Sequence, residues 1–323
     1  MRRPTQYPYR AFGVFALIAV LALASWAAGG RERIASGPLE VAYRPADEEV
    51  AQDCLAVLEK GLAEFSSKLP AGDAPIRITI CRTLEEFNQM AGAYAGVQVG
   101  GIAESRRGAI IVKAPHLLPP GQDYHGMLRH ELLHVLIARN TDLANVPRWF
   151  NEGIAMVMSR ELRWANTMRV AHMYVRRRVI PYPELDFAFA PLGDEMVFGD
   201  AYAEAYSMTL HLIDEVGEER FWRVVLALNE MNFDEALKKH AGLTPGALYQ
   251  GWRRTLWKTA LVASLVSGFT LFDVMAILLI LAYVRKRRRG RTILRAWDEE
   301  EDGENVFSWD KVVESTYPGE EDD

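Results

Sequence analysis

LRHELLHVLIARN, Leu128 to Asn140, decides how this chain is read, because it sets two histidines and a glutamate into a stretch whose apolar residues recur at helical spacing. On a helix, His130 and His134 project from one face a turn apart, so both imidazoles can reach one metal ion. Glu131, beside His130, points toward the edge of the same site. H-E-x-x-H is the arrangement in which two histidines hold zinc and the glutamate is general base toward a metal-activated water. Burying three such groups is costly unless a cation and hydrogen bonds compensate, and a dication supplies that compensation.

A three-ligand zinc site needs a further donor. The extension with glycine three residues on and histidine six on is excluded, since Ile137 and Asn140 stand there. Further along, VPRWFNEGIAMVMS (Val146 to Ser159) has Pro147 suited to the first turn of a new helix, and Glu152 lies on it, 18 residues after His134. A helix-turn-helix lets Glu152 fold back onto the first helix.

Two hydrophobic runs set the expected topology. Ala11 to Ala28 follows Arg2, Arg3 and Arg10 and fits either a signal peptide or an uncleaved anchor. Thr259 to Val284 is long enough to cross a bilayer, with Trp252 and Trp257 near one end and Tyr283 at the other. RKRRRGR, Arg285 to Arg291, follows at once, and the positive-inside rule puts it in the cytoplasm. Residues 1–30 are thus a leader or anchor, 31–258 an extracytoplasmic domain, 259–284 a transmembrane helix and 285–323 a cytoplasmic tail. Asp273, inside the span, is either a tolerated polar residue or one that faces a partner helix.

Charge is uneven. Asp298 to Asp323 holds twelve acidic residues and one lysine, while Arg285 to Arg295 holds seven basic residues and no acid. The middle, Ala11 to Val284, has 26 basic and 31 acidic residues, which argues against a nucleic-acid surface. The basic cluster is expected to meet anionic lipid headgroups, and the acidic tail to be solvated, with NVFSWDKVVE (Asn305 to Glu314) the stretch able to dock on a cytoplasmic partner. Cys54 and Cys81 are the only cysteines, too few for a structural zinc site; an oxidising compartment would permit a disulfide between them.

In the outer domain, LEVAY (Leu39 to Tyr43), IRITIC (Ile76 to Cys81) and GAIIVKAP (Gly108 to Pro115) read as strands. A helix is expected from about Asp47 to Ser67, and TLEE at Thr83 to Glu86 has the form of a capping box opening a second. From Tyr124 the pattern is helical, apart from a proline-bearing loop at about Ile180 to Gly199. Strands early and helices late predict an α+β domain with a small sheet. Its GAIIVK strand is expected to offer an edge to an extended peptide.

HELLH followed by WFNEGIA resembles the gluzincin group of zinc metallopeptidases, in particular the peptidase-MA-like domains of many bacterial envelope proteins. The likeness spans about Leu39 to Trp257, close in the two motifs and loose in AYAEAYSMTLHLIDEVG (Ala201 to Gly217) and FDEALKKHAG (Phe233 to Gly242). It implies a zincin-like fold, with His130, His134 and Glu152 as Zn²⁺ ligands and Glu131 as catalytic base. It implies too that a tyrosine stabilises the oxyanion, Tyr202 in preference to Tyr206 one turn away. Some gluzincins orient a zinc histidine with an aspartate four residues after the ligand glutamate. Met156 stands there, so another carboxylate or a backbone carbonyl is expected to orient the imidazoles, and Asn151 is free to contact substrate.

The implied function is a membrane-anchored zinc peptidase cleaving protein or peptide substrates outside the cytoplasm. The alternative is a non-catalytic envelope module that uses the same fold to bind or sense. The other five histidines lack comparable spacing and are expected to be structural or surface residues.

Overall fold

Three of the sheet's strands form where the sequence predicts them, in short β-branched runs: Leu39–Tyr43 (β2), Ile76–Cys81 (β3) and Ala109–Lys113 (β5). The computed structural model describes residues 30–92, 99–160, 163–189, 195–268 and 275–290. It adds two strands without a sequence signal, Glu32–Ser36 (β1) and Gly101–Glu104 (β4). The order is β1-β2-β3-β5-β4, with β2, β3 and β5 parallel and the two outer strands antiparallel to their neighbours. This corrects the expectation that GAIIVK is the exposed edge. β5 pairs on both sides, with β3 and β4, because the glycine-rich segment before it folds back as a strand; β4 is the edge on that side of the sheet.

Helix α1 (Glu48–Phe65) joins β2 to β3, and α2 (Leu84–Ala91) follows β3. The capping box over α2 forms in part: Thr83 Oγ1 accepts the Glu86 N–H at 3.1 Å, while the Glu86 carboxylate accepts the N–H of Arg82, at 3.0 Å, rather than that of Thr83. The rest is helical, with α3 (Tyr124–Asn140), α4 (Arg148–Ser159), α5 (Arg163–Val175), α6 (Glu195–Val216), α7 (Glu218–Ala227), α8 (Phe233–Ala241) and α9 (Pro245–Gly268). A single helical turn, Tyr182–Leu185, interrupts the loop expected before α6. The domain is α+β as expected, a small sheet followed by helices.

Alternation along the strands divides the apolar residues between two faces. Ile76, Ile78, Ile80, Ile110 and Val112 join α1 and α3 in the main core, whereas Cys81 and Ile111 meet Phe87 and Ala91 of α2 in a smaller cluster. Cys54 belongs to the main core. Both cysteines are buried free thiols, so the permitted disulfide does not form: the sheet separates them. Burial pushes both thiols up, Cys54 to about 12 and Cys81 to about 11.

By chain contacts the protein divides into Met1–Leu261 and Val262–Asp323. In the second unit the described residues 275–290 are helical. The first hydrophobic run, Asp273 and the acidic tail lie outside the described residues, as do positions 269–274 of the second run. Among the described residues no helix is long and apolar enough to cross a membrane.

Candidate metal centre and cleft

Helix α3 begins at Asp123, whose side chain accepts the Gly126 N–H at 3.0 Å, and it buries most of its length between the sheet and α4. Helix α4 starts just after Pro147, whose carbonyl accepts the N–H groups of Phe150 and Asn151. Trp149 and Phe150 anchor it in an aromatic cluster with Phe233, and Phe150 also meets Phe221. Gly153 lets α4 close on α6: a Cβ there would lie 2.6 Å from the Ala205 carbonyl oxygen and collide with the Thr209 hydroxyl. Glu152 is the preceding residue, so the same close approach fixes where its carboxylate starts.

The three candidate ligands converge. His130 Nε2 and His134 Nε2 are 3.0 Å apart, and each is 3.4 Å from Glu152 Oε2. Bonds of about 2.0–2.1 Å in a tetrahedron place neighbouring ligand atoms roughly 3.3 Å apart, so these three atoms fit three corners around one zinc-sized ion. Together they are a group able to hold a metal. Glu152 Oε2 is buried without a hydrogen bond, which a cation would answer. Burial by itself raises the Glu152 carboxyl, but the charge of His134 and contacts with both rings outweigh it and hold the group well below the usual range. Burial lowers His134, and the Glu152 charge outweighs that and raises it. Metal-free, the site favours an anion beside a protonated imidazole; a bound cation takes the proton's place.

Orientation comes from a residue for which the sequence suggested another task. His134 Nδ1–H donates to Asn151 Oδ1 at 3.2 Å, which fixes the tautomer that leaves Nε2 free as a ligand. An amide one residue before Glu152 thus does what the sequence reading sought in a carboxylate or backbone carbonyl. Met156 is buried on the cleft wall and brings no polar group.

All three ligand residues line a cleft of about 490 Å³. Glu131 lines it too and is 8% exposed. The edge strand β4 forms the wall beside it, and a Cβ on Gly101 would come to 3.0 Å from Glu131 Cγ, so a side chain there would crowd the Glu131 side chain. Tyr202, also on the cleft wall, packs between Phe189 and Phe198 with its ring steeply inclined to both, at ring-centroid distances of 5.2 and 4.8 Å. Tyr206 is buried and does not line the cleft. His116 and His125 lie elsewhere, against the Arg82 carbonyl and Asp53. The sequence reading missed Arg148, Asn166, Arg169 and the two phenylalanines on the cleft walls. Of these, only Arg148 had a signal, its i,i+4 spacing to Glu152.

A family model described as the Peptidase MA superfamily matches residues 50–258. The chain belongs to that superfamily. Within it, the His130, His134 and Glu152 group is the superfamily domain's candidate metal centre. Among solved structures, the chain is similar to a variant of the M1 zinc metallopeptidase from Deinococcus radiodurans, with 15% identity and a TM-score of 0.36 over 70% of this chain and 51% of that one. The chain therefore spans about half the length of that protein. No curated protein matches.

Proposed function

We propose that the chain is a membrane-anchored, gluzincin-type zinc peptidase that hydrolyses peptide bonds of protein or peptide substrates outside the cytoplasm. The observation that carries this reading is the convergence of His130 Nε2, His134 Nε2 and Glu152 Oε2 within 3.4 Å of one another, on a cleft that Glu131 also lines. Zinc, when bound, supplies Lewis acidity that lowers the pKa of water and polarises a carbonyl. Glu131 accepts the water proton and passes it to the leaving amine. The Tyr202 hydroxyl donates to the developing oxyanion. An extended substrate pairs with the edge strand β4, where the glycine at 101 lets the peptide backbone approach Glu131.

Membrane anchoring rests on the sequence runs and their arginine flanks. It is supported by the apolar side chains of Met275, Ile277, Leu278, Leu279, Ile280 and Leu281, all 45% exposed or more. Lipid is the solvent that such a run asks for.

The test uses the full chain in detergent, wild type against Glu131→Gln. Both are expected to hold one zinc, and only the wild type to cleave a peptide library. Undiminished hydrolysis by the variant would refute the base assignment. A wild type that holds zinc tightly and cleaves nothing would favour a non-catalytic binding module.

A further inference from the structure

Two arginines line the cleft, Arg148 on α4 and Arg169 on α5. Arg169 is engaged, its Nε donating to Asp200 Oδ1 at 2.9 Å, although Arg178 also approaches that carboxylate, at 4.0 Å. Arg148 is exposed, and its guanidinium makes no ion pair or hydrogen bond among the described residues. That is unexpected, because Glu152 lies four residues on, the spacing at which an arginine and a glutamate on one helix face ordinarily pair. Glu152 instead turns Oε2 to the two imidazoles, which leaves Arg148, one turn away on the cleft wall, without a counter-charge among the described residues.

Among the described residues, Glu131 and Glu152 are the only carboxylates on the cleft wall, and the proposed chemistry commits both. A substrate ammonium group finds no other partner there. A substrate carboxylate finds a planar donor fork suited to two parallel hydrogen bonds. We propose that Arg148 makes this cleft selective for peptides carrying a carboxylate near the bond to be cut, either an acidic side chain or a free C-terminus. This rests on the peptidase reading and names its substrate class.

The test uses three matched peptide sets: acidic side chain with amidated C-terminus, neutral side chains with free C-terminus, and neutral with amidated C-terminus. For the zinc-loaded full chain, kcat/KM is measured for wild type and Arg148→Gln. Binding is measured by fluorescence anisotropy in the Glu131→Gln background, with and without Arg148→Gln. The preference for one carboxylate-bearing set over the neutral amidated set is expected to be about ten-fold, the worth of a charge-assisted hydrogen bond. Which set carries it identifies the carboxylate's source. In Arg148→Gln the ratio falls to about one, and in Arg148→Glu it falls below one, because the introduced carboxylate repels the substrate's. A wild-type ratio near one, or a preference that survives Arg148→Gln with zinc content and Tm unchanged, overturns the proposal. If wild type cleaves nothing, the peptidase reading fails separately, and the anisotropy ratio still decides the role of Arg148.

Discussion

Replacing Asn151 with alanine removes the amide oxygen that accepts the His134 Nδ1–H at 3.2 Å and leaves every proposed metal ligand and the proposed base in the sequence. A hydrogen bond between two neutral groups contributes about 0.5–1.5 kcal/mol net, and a buried donor left without a partner costs about 1–3 kcal/mol. The His134 side chain is 10% exposed, so little water reaches the abandoned N–H and the upper part of that range applies. Losing the partner that orients a metal-binding histidine typically weakens metal affinity 10–100-fold, or about 1.4–2.8 kcal/mol, in agreement with the hydrogen-bond figure. Competition against a chromophoric chelator is therefore expected to show zinc bound 10–100-fold more weakly by Asn151→Ala, with peptide KM little changed once zinc is saturating. Asn151→Asp, which keeps an acceptor and adds charge, should bind zinc at least as tightly as wild type. The reasoning is refuted if Asn151→Ala binds zinc within two-fold of wild type while KM rises. That result would make Asn151 a substrate contact, the role its sequence position first suggested.

Two pH dependences follow from the buried titratable groups. In metal-free protein the depressed Glu152 stabilises the fold above its ordinary value of 4.5 and loses that contribution as pH falls, while the raised His134 stabilises it below 6.5 and loses that contribution as pH rises through its folded pKa. Chelated protein should therefore lose the Glu152 contribution as pH falls below 4.5 and the His134 contribution as pH rises above 6.5, and zinc should make the alkaline fall shallower by the share that His134 causes; an alkaline fall equally steep with and without zinc would contradict this. Glu204, fully buried on α6, is raised to about 8 by burial, although it accepts the Ile180 N–H at 2.6 Å. Between 4.5 and about 8 the native state keeps a proton that the unfolded chain has released, so wild-type stability declines as pH rises. Glu204→Gln cannot ionise, so the Tm of the variant minus that of wild type should grow from pH 5 to pH 8, and a flat difference would show that Glu204 is not held protonated.

What was legible in the sequence follows from how each feature is fixed. His130, Glu131 and His134 share one helix, so covalent spacing alone sets their relative directions and no tertiary information is needed. Glu152 was legible as a candidate, but its convergence depends on how closely α4 can approach α6, which turns on Gly153 against the Ala205 carbonyl. The orienting role of Asn151 comes from the same helix placement and has no motif. Strand β4 was hidden because four residues beginning with glycine carry little periodicity, and they become a strand by pairing with β5. That pairing moves the free sheet edge from β5 to β4 and brings Gly101 against Glu131. The cysteines were the reverse case. Ile76, Ile78 and Ile80 alternate onto the face that α1 covers, which places Cys81 on the opposite face from Cys54, so the strand's period of two already opposed a disulfide once α1 was known to pack on the isoleucines. The residues of one helix thus declare a chemistry by themselves, whereas the parts that tune it, the amide on His134, the bare strand edge and the unpaired Arg148, exist only after the two halves of the domain meet.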